Sequence, residues 1–509
     1  MKKAAVEWFA EALRARGVTW ISTLCGHGLD PLFQAATQAG IRLVDTRNEQ
    51  TAAYLAEAYG RLSKQPGVCA VSSGVAVANA LSGLMNAWFD GAPMLLISGS
   101  ADSDRLGSGA FQDLDQTALA RPITRLSRTI DTPTRVLEAL DAAWAAAQTG
   151  PVHLMFPMDV QRAVVNETDL VRLPAAPPTL RTTDVEPVAR ALRDASRPVI
   201  VASSEVYYSG EGPELVAFAE AYQIPVVTRI WDRGIFDRAS DVCLGVVGAA
   251  TGGPALLAAS DCVISTALAS DYRTNYDSPL RLARGWRQLS ETMAGFGRPA
   301  FAAWLIEARR LQGVHRQKVA EMAQSQTIAS RTHAVHVIEA LEQWLPEDAV
   351  LIADGGSIGQ WAHQLLTMRR YPGHWLTCGR SGVVGYGIGA AMAARLAYPD
   401  RAVVLLSGDG AFTFNATDLE PAQRQGLHFT AIVADDQCWG ITHAGHLRQF
   451  GHGISTQLGP IQFDLLARAL GCAGRRIEHK KDLGEGLRDA MKSRDVTVLH
   501  VPITGGNPA

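Results

Sequence analysis

Apolar residues recur along the chain with two alternating periods. Val6, Phe9, Ala10 and Leu13 stand at helical spacing and stop at Gly17, after which the β-rich run Val18 to Leu24 begins. The alternation continues with strand-like Ile41 to Val44, a helix over about 49–62, strand-like Val68 to Val71, a helix near 77–88 and strand-like Met94 to Ser98. Short apolar strands separated by helices predict a parallel sheet covered on both faces, because such strands have no solvated side to fill with polar residues. A second series starts at Arg197-Pro-Val-Ile-Val-Ala, passes through Ile224-Pro-Val-Val and Asp261-Cys-Val-Ile-Ser, and ends in a polar helical stretch near 300–330. A third starts near Ala334, with strands predicted at 349–353, 402–406 and 429–433 and the Gly-rich 385–391 opening a helix. The stretch around Pro174, Pro177 and Pro178 follows neither period and reads as an interdomain linker. The predicted fold is α/β, with three doubly wound parallel-sheet domains over residues 1–172, 185–325 and 334–509. No solenoid-period repeat and no low-complexity tract interrupts them.

The length of 509 residues agrees with this count, at about 150 residues per domain. A composition of 47% hydrophobic and 19% charged residues excludes global disorder. The net charge of −3 gives no bulk attraction to nucleic acid or to an anionic membrane. Glu7, Glu11, Arg14 and Arg16 interrupt any early apolar run, so neither a signal peptide nor a membrane span is predicted, and a cytoplasmic protein is expected. The seven cysteines lie far apart with no C-x-x-C pair, which argues against a disulfide framework or a structural zinc site.

The segment Ala402 to Gly440 carries the most chemistry. An apolar strand is predicted to end at Ser407, Gly408-Asp409-Gly410 turns the chain, a helix follows, and a second apolar strand ends at Asp435-Asp436. Both acidic sites then lie at carboxyl ends of parallel strands, where open α/β sheets bind ligands. Oxygen donors in such a place suit Mg²⁺, and the glycines let backbone N–H groups approach a phosphate. Alone, Gly-Asp-Gly is most often a tight turn. Asp354-Gly-Gly-Ser357, after another predicted strand, is a second candidate phosphate cradle, and an ordinary left-handed turn explains it equally well.

In its spacing the Gly408 to Asp436 segment resembles the motif of thiamine diphosphate-dependent enzymes of the acetolactate synthase, 2-oxo acid decarboxylase and benzaldehyde lyase type. There, GDG is followed after a helix and a strand by Asn-Asn. The resemblance implies that Asp409, Asp436 and the carbonyl of Cys438 hold Mg²⁺, and that Gly408, Gly410, Ala411, Gly440, Gly356 and Ser357 surround the diphosphate. Asp435-Asp436 departs from Asn-Asn, and the added carboxylate beside a diphosphate calls for a compensating cation or weakens cofactor binding.

Further matches spread over almost the whole chain. Asp45-Thr-Arg-Asn-Glu-Gln-Thr-Ala-Ala resembles the family's R-H-E-Q-x-A-A segment, which makes Glu49 the glutamate that hydrogen-bonds the aminopyrimidine ring; by itself Glu49 also reads as a helix N-terminal acid. A carboxyl group donating to that ring favours the imino tautomer that deprotonates the thiazolium carbon. Ser73-Gly-Val-Ala-Val-Ala-Asn79 resembles S-G-P-G-x-x-N, and Phe111-Gln112 opens a match to F-Q-E-x-D-Q that places the Gln112 amide near the substrate. Gly382-Val-Val384-Gly-Tyr-Gly resembles G-x-M-G-x-G, with Val384, smaller than the usual Met, Leu or Ile, wedged between the cofactor rings. His27, in Cys25-Gly-His-Gly28, is the candidate for proton transfer. Ser72 stands where some decarboxylases carry a histidine, and His443 and His446 are expected on a helix near the site entrance rather than as metal ligands.

The resemblance implies addition of the cofactor to a 2-oxo acid or aldehyde, followed by protonation in a decarboxylase or capture of a second carbonyl compound in an acetolactate-synthase-like carboligase. It also implies a homodimer or a tetramer of dimers, with ring-binding and diphosphate-binding residues meeting across a subunit interface. The central domain offers no Gly-rich dinucleotide fingerprint, so FAD is not expected and a structural role is. Two other readings compete. A non-catalytic or regulatory relative would explain the altered Asp436 and Ser73-Gly-Val-Ala positions. A NAD-dependent dehydrogenase would explain the α/β pattern, but Gly385-x-Gly-x-Gly lacks the required spacing and acidic partner.

Overall fold

The computed structural model describes residues 1–173, 184–230, 240–247, 253–267, 280–295, 301–327, 331–366 and 375–504. The linker prolines Pro174, Pro177 and Pro178 lie outside the described residues. The chain divides into two compact units. The first comprises Met1–Thr179, Gly379–Pro399 and Asn415–Leu427, and the second comprises Leu180–Cys378, Asp400–Phe414 and His428–Ala509.

The first unit is built on a six-stranded sheet in the order Arg42–Asp45, Trp20–Leu24, Gly67–Val71, Met94–Ser100, Pro151–Pro157, Leu126–Thr129. Every neighbouring pair is parallel. The predicted elements occupy their expected places, with the helices at Ala5–Ala15, Glu49–Ser63 and Val75–Asp90. Strands such as Gly67–Val71 and Met94–Ser100 are buried at every position, as their unbroken apolar runs require. Numbered along the chain, the strand order is 2-1-3-4-6-5, so the winding direction reverses between strands 1 and 3.

Helix Gly387–Ala397, opened by the Gly-rich stretch, packs on helix Glu49–Ser63 within this unit. Beneath it lies a buried ionic group. Arg61 Nη1 donates to Tyr386 Oη at 3.3 Å and lies 3.7 Å from Glu57 Oε1 and 4.0 Å from Asp90 Oδ2. Burial pushes the Glu57 carboxyl up to about 7, with Arg61 pulling it down and Asp90 pushing it up. The unfolded chain ionises this group near 4.5, so between the two values the fold retains a proton the unfolded chain has released, and stability falls as pH rises. Glu57→Gln removes that dependence. Its stability relative to wild type is expected to grow by about 3 kcal/mol between pH 4.5 and 7; urea unfolding at the two pH values checks this, and a constant difference refutes it.

The second unit contains two sheets. One is a five-stranded sheet in the order Cys243–Val247, Val226–Arg229, Pro198–Ala202, Cys262–Ser265, Leu280–Arg281, all pairs parallel. Its core joins Val199, Ile200, Phe218, Trp286 and Trp304, and the long helix Ala302–Gln326 supplies the polar helical stretch expected there. The other sheet has six parallel strands in the order Trp375–Thr377, Val350–Asp354, Val403–Gly408, Thr430–Asp435, Thr497–Pro502, Ala473–Arg476. Its order along the chain is again 2-1-3-4-6-5, the topology of the first sheet. Gly408-Asp409-Gly410 forms no separate turn: the strand runs to Gly408 and a short helix, Asp409–Thr413, starts at Asp409. Among the described residues no helix is long and apolar enough to cross a membrane.

Candidate active site

In an open parallel sheet, loops leave neighbouring strands in opposite directions where the winding reverses, and the crevice between them accepts ligands. In the first unit that place lies between Trp20–Leu24 and Gly67–Val71, whose pairing runs to Leu24 and Val71. The loops leaving it are Cys25–Gly28 and Ser72–Gly74, both singled out by the sequence. They interlock. Ser72 Oγ donates to the His27 carbonyl at 2.7 Å, and Ser73 Oγ donates to Gln112 Oε1 at 2.9 Å. Gln112 takes a left-handed backbone at φ 56°, an uncommon conformation for a side-chain-bearing residue and one often found at functional sites. The exposed His27 ring meets Phe111 edge-on at 5.7 Å. His27, Ser73 and Gln112 thus form one cluster, with Gln112 Oε1 engaged by Ser73.

Glu49 opens helix Glu49–Ser63 behind the N-cap Asn48, whose side chain accepts from the Gln50 N–H. Asn79 Nδ2 donates to Glu49 Oε2 at 3.0 Å, which joins two residues that the sequence placed on separate motifs. The segment before Glu49 is fixed from far along the chain. Buried Asp418 accepts from Arg47 N at 2.6 Å and from Thr51 Oγ1 at 2.7 Å, and burial pushes its carboxyl up to about 6. Gly382 and Val384 also belong to this unit. The residues just before them are tied to helix Val75–Asp90, with Arg380 N donating to Asp90 Oδ1 at 3.1 Å and Ser381 Oγ to Asn86 Oδ1.

In the second unit the corresponding place lies between Val350–Asp354 and Val403–Gly408, where Asp354 pairs with Ser407. Gly355 sits at φ +115°, and a Cβ there would fall 2.7 Å from the Gly408 amide nitrogen, so the two strand-end loops approach backbone to backbone. Helix Ser357–Leu365 begins at this point with Gly356 as N-cap, and Ser357 Oγ is buried with no hydrogen-bond partner among the described residues. Gly440 lies opposite: a Cβ on it would stand 2.1 Å from Ser357 Oγ and 3.2 Å from Asp436 Oδ2.

Asp409 begins its helix at the strand end and is buried, as is Asp435 at the end of the next strand. Burial, with Asp436 and Asp435 close by, pushes the Asp409 carboxyl up to about 7. Burial raises Asp436 to about 6, against a hydrogen bond from the Cys438 N–H. The turn that follows is held by Gln437, left-handed at φ 55°, whose N–H donates to Asp435 Oδ1 at 3.2 Å. His443 and His446 do lie on a helix, Gly440–Phe450, and each is engaged separately: His443 Nδ1 with Thr456 Oγ1 at 2.7 Å, His446 Nδ1 accepting from Ile454 N at 3.2 Å.

Carboxylates brought together at a strand end, a buried hydroxyl without a partner and a helix N-terminus form a donor set made of oxygen and backbone N–H. That chemistry fits a hard cation carrying a phosphate group. Among the described residues no three His, Cys, Asp or Glu side chains are placed to hold a metal by themselves. Carbonyl and phosphate oxygens would therefore have to complete the coordination of Asp409 and Asp436.

Residues 3–119 match the family model described as the N-terminal TPP binding domain of thiamine pyrophosphate enzymes, residues 185–284 its central domain, and residues 354–501 its C-terminal TPP binding domain. The chain belongs to the thiamine pyrophosphate enzyme family. Among its relatives is a probable acetolactate synthase of Mycobacterium bovis, 29% identical over 97% of this chain and 94% of that protein. Another is the 2-hydroxyacyl-CoA lyase 2 of Caenorhabditis elegans, 27% identical over 98% of this chain and 90% of the relative. The human 2-hydroxyacyl-CoA lyase 2 is 28% identical over 95% and 87%. This thiamine pyrophosphate enzyme therefore matches its relatives nearly end to end, and the family together with these relatives supports thiamine-dependent chemistry at a carbon–carbon bond.

Sequence reasoning did not find Asp418, nor Gln161, a buried amide that donates to the Gly28 carbonyl at 2.7 Å and so fixes the His27 loop. It also missed His500, which contacts Asp435. None sits in a motif; the only signal was a polar residue inside an otherwise apolar run, as in Val498-Leu-His500-Val.

Proposed function

We propose that this chain is a thiamine diphosphate- and Mg²⁺-dependent enzyme that cleaves or forms a carbon–carbon bond next to a carbonyl, with a 2-oxo acid as donor. It would act as an acetolactate-synthase-like carboligase or as a non-oxidative decarboxylase. The observation that carries this reading is the convergence of Asp409 and Asp436 beside the buried Ser357 hydroxyl at the winding reversal of the last sheet. Asp409, Asp436 and the Cys438 carbonyl would hold the metal, while Ser357 and the backbone at Gly356, Gly408, Gly410, Ala411 and Gly440 would face the diphosphate.

When bound, the cofactor supplies a nucleophilic carbon and an electron sink. The chain's own groups do the rest. Glu49, oriented by Asn79, holds a proton at the ring-nitrogen end of the site. Gln112, with its oxygen engaged by Ser73, turns its NH₂ toward a substrate carbonyl, and His27 moves a proton at the solvent side of the same loop cluster. Val384 supports the ring region from the segment tied to Asp90 and Asn86. Homo-oligomers of two or four copies, with both sets of residues meeting between copies, complete the proposal.

The test incubates the cofactor-loaded enzyme with a panel of 2-oxo acids, alone and with an aldehyde, and identifies products by mass spectrometry. An aldehyde product with CO₂ release marks a decarboxylase, and a joined hydroxy-carbonyl product marks a carboligase. Cofactor-loaded protein that yields neither from any 2-oxo acid defeats the reading and favours the non-catalytic relative.

A further inference from the structure

The two consecutive aspartates at the end of strand Thr430–Asp435 pose an electrostatic problem. Three carboxylates, Asp409, Asp435 and Asp436, gather at the ends of two paired strands, and a cation needs only part of that charge once a diphosphate is also present. The neighbouring strand answers it. His500, on Thr497–Pro502, is fully buried, and its Nε2 lies 2.9 Å from Asp435 Oδ2. A carboxylate only accepts, so Nε2 carries the hydrogen and donates it. Asp435 Oδ1 is already taken by the Gln437 N–H, so both oxygens of Asp435 are engaged within the protein.

The imidazole has little freedom to leave. Phe463 meets it edge-on at 5.3 Å and itself meets Phe412 of the Asp409 helix at 5.7 Å. Its Nδ1 lies 3.3 Å from Asp464 Oδ1 and 3.3 Å from Arg476 Nη1. Parallel pairing of Val433 with His500 and of Asp435 with Pro502 sets this geometry through the backbone.

We infer that His500 is a positioning residue for the metal site: by occupying Asp435 it withdraws one of two adjacent carboxylates and leaves Asp436 as the one that faces the cation. The inference rests on the cofactor reading above. It accounts for how a chain with Asp-Asp, where the resembled motif has Asn-Asn, avoids over-charging the site: the donor that an amide would carry itself is supplied here from the next strand.

Substitutions that separate the two ring nitrogens test it on the full-length protein. The Asn amide reproduces Nδ1 and its contact with Asp464 but falls short of Asp435, whereas the Gln amide places a nitrogen where Nε2 stands. Calorimetric titration of Mg²⁺ in the presence of thiamine diphosphate is expected to show His500→Asn weakened by about 10-fold or more, within the range for residues behind a metal ligand, and His500→Gln within about 3-fold of wild type. Adding Asp435→Asn to His500→Asn is expected to restore the affinity, because the competing carboxylate is then gone. Equal affinities in the Asn and Gln variants, whether both unchanged or both lost with a matching drop in melting temperature, overturn the inference. Wild-type protein that takes up neither cofactor nor metal overturns the cofactor reading and this inference with it.

Discussion

Turnover in the Glu49→Gln variant is expected to fall by about 10²–10⁴-fold, the usual range for removing a positioned acid–base group. The substitution preserves volume and leaves an acceptor oxygen for Asn79 Nδ2, which now stands 3.0 Å from Oε2, but the amide cannot pass a proton to a ring nitrogen. The fold is expected to survive. Asn48 still caps the helix through Gln50, and Asp418 still holds Arg47 and Thr51 on either side. Steady-state rates with the donor found by product analysis, alongside far-UV circular dichroism and a thermal melt, give the answer. Normal turnover removes Glu49 from the acid–base role.

The second large effect separates the two aspartates of the metal site. Asp409→Asn is expected to weaken Mg²⁺-dependent thiamine diphosphate binding on the order of 100-fold, equivalent to about 2.8 kcal/mol. The cofactor-free protein should at the same time melt at a higher temperature, since the substitution relieves repulsion with Asp436 and Asp435 at a buried site. Asp436→Asn should behave differently. It restores the amide of the resembled motif, removes one charge beside the diphosphate, and is expected to retain or improve affinity in the same calorimetric titration. A large loss in Asp436→Asn, or none in Asp409→Asn, contradicts the proposed division of roles.

Much of this is legible in the amino-acid sequence. The apolar runs from Val18, Val68, Met94, Ala349, Ala402 and Phe429 are strands because buried parallel strands need no polar side, and the loops that carry His27 and Ser73 and the helix starts at Ser357 and Asp409 follow from where those runs stop. The aspartate after Gly408 was legible because a strand end with small residues constrains local chemistry. Partners brought together by topology were not. Arg47 and Asp418 are 371 positions apart, and His500 stands 65 positions from Asp435, so no local period or spacing connects them. The same holds for Gly382 and Val384, whose neighbours Arg380 and Ser381 hydrogen-bond Asp90 and Asn86, some 290 positions earlier. The reversal of winding that gathers the candidate residues is a property of strand order, which one-dimensional hydropathy does not encode.

Helix Gly387–Ala397 covers helix Glu49–Ser63 although some two hundred residues of chain separate it from the end of the first segment of that unit. During synthesis at ~5–20 residues per second, the nascent first sheet therefore waits on the order of 10–40 s for its lid. Throughout that interval Tyr54 and Glu57, both fully buried in the finished protein, lack their contacts with Tyr386 at the start of that helix. The ribosome thus cannot deliver this enzyme as a string of independently completed modules, and a gene cut at the first linker would encode a unit that lacks its last two segments.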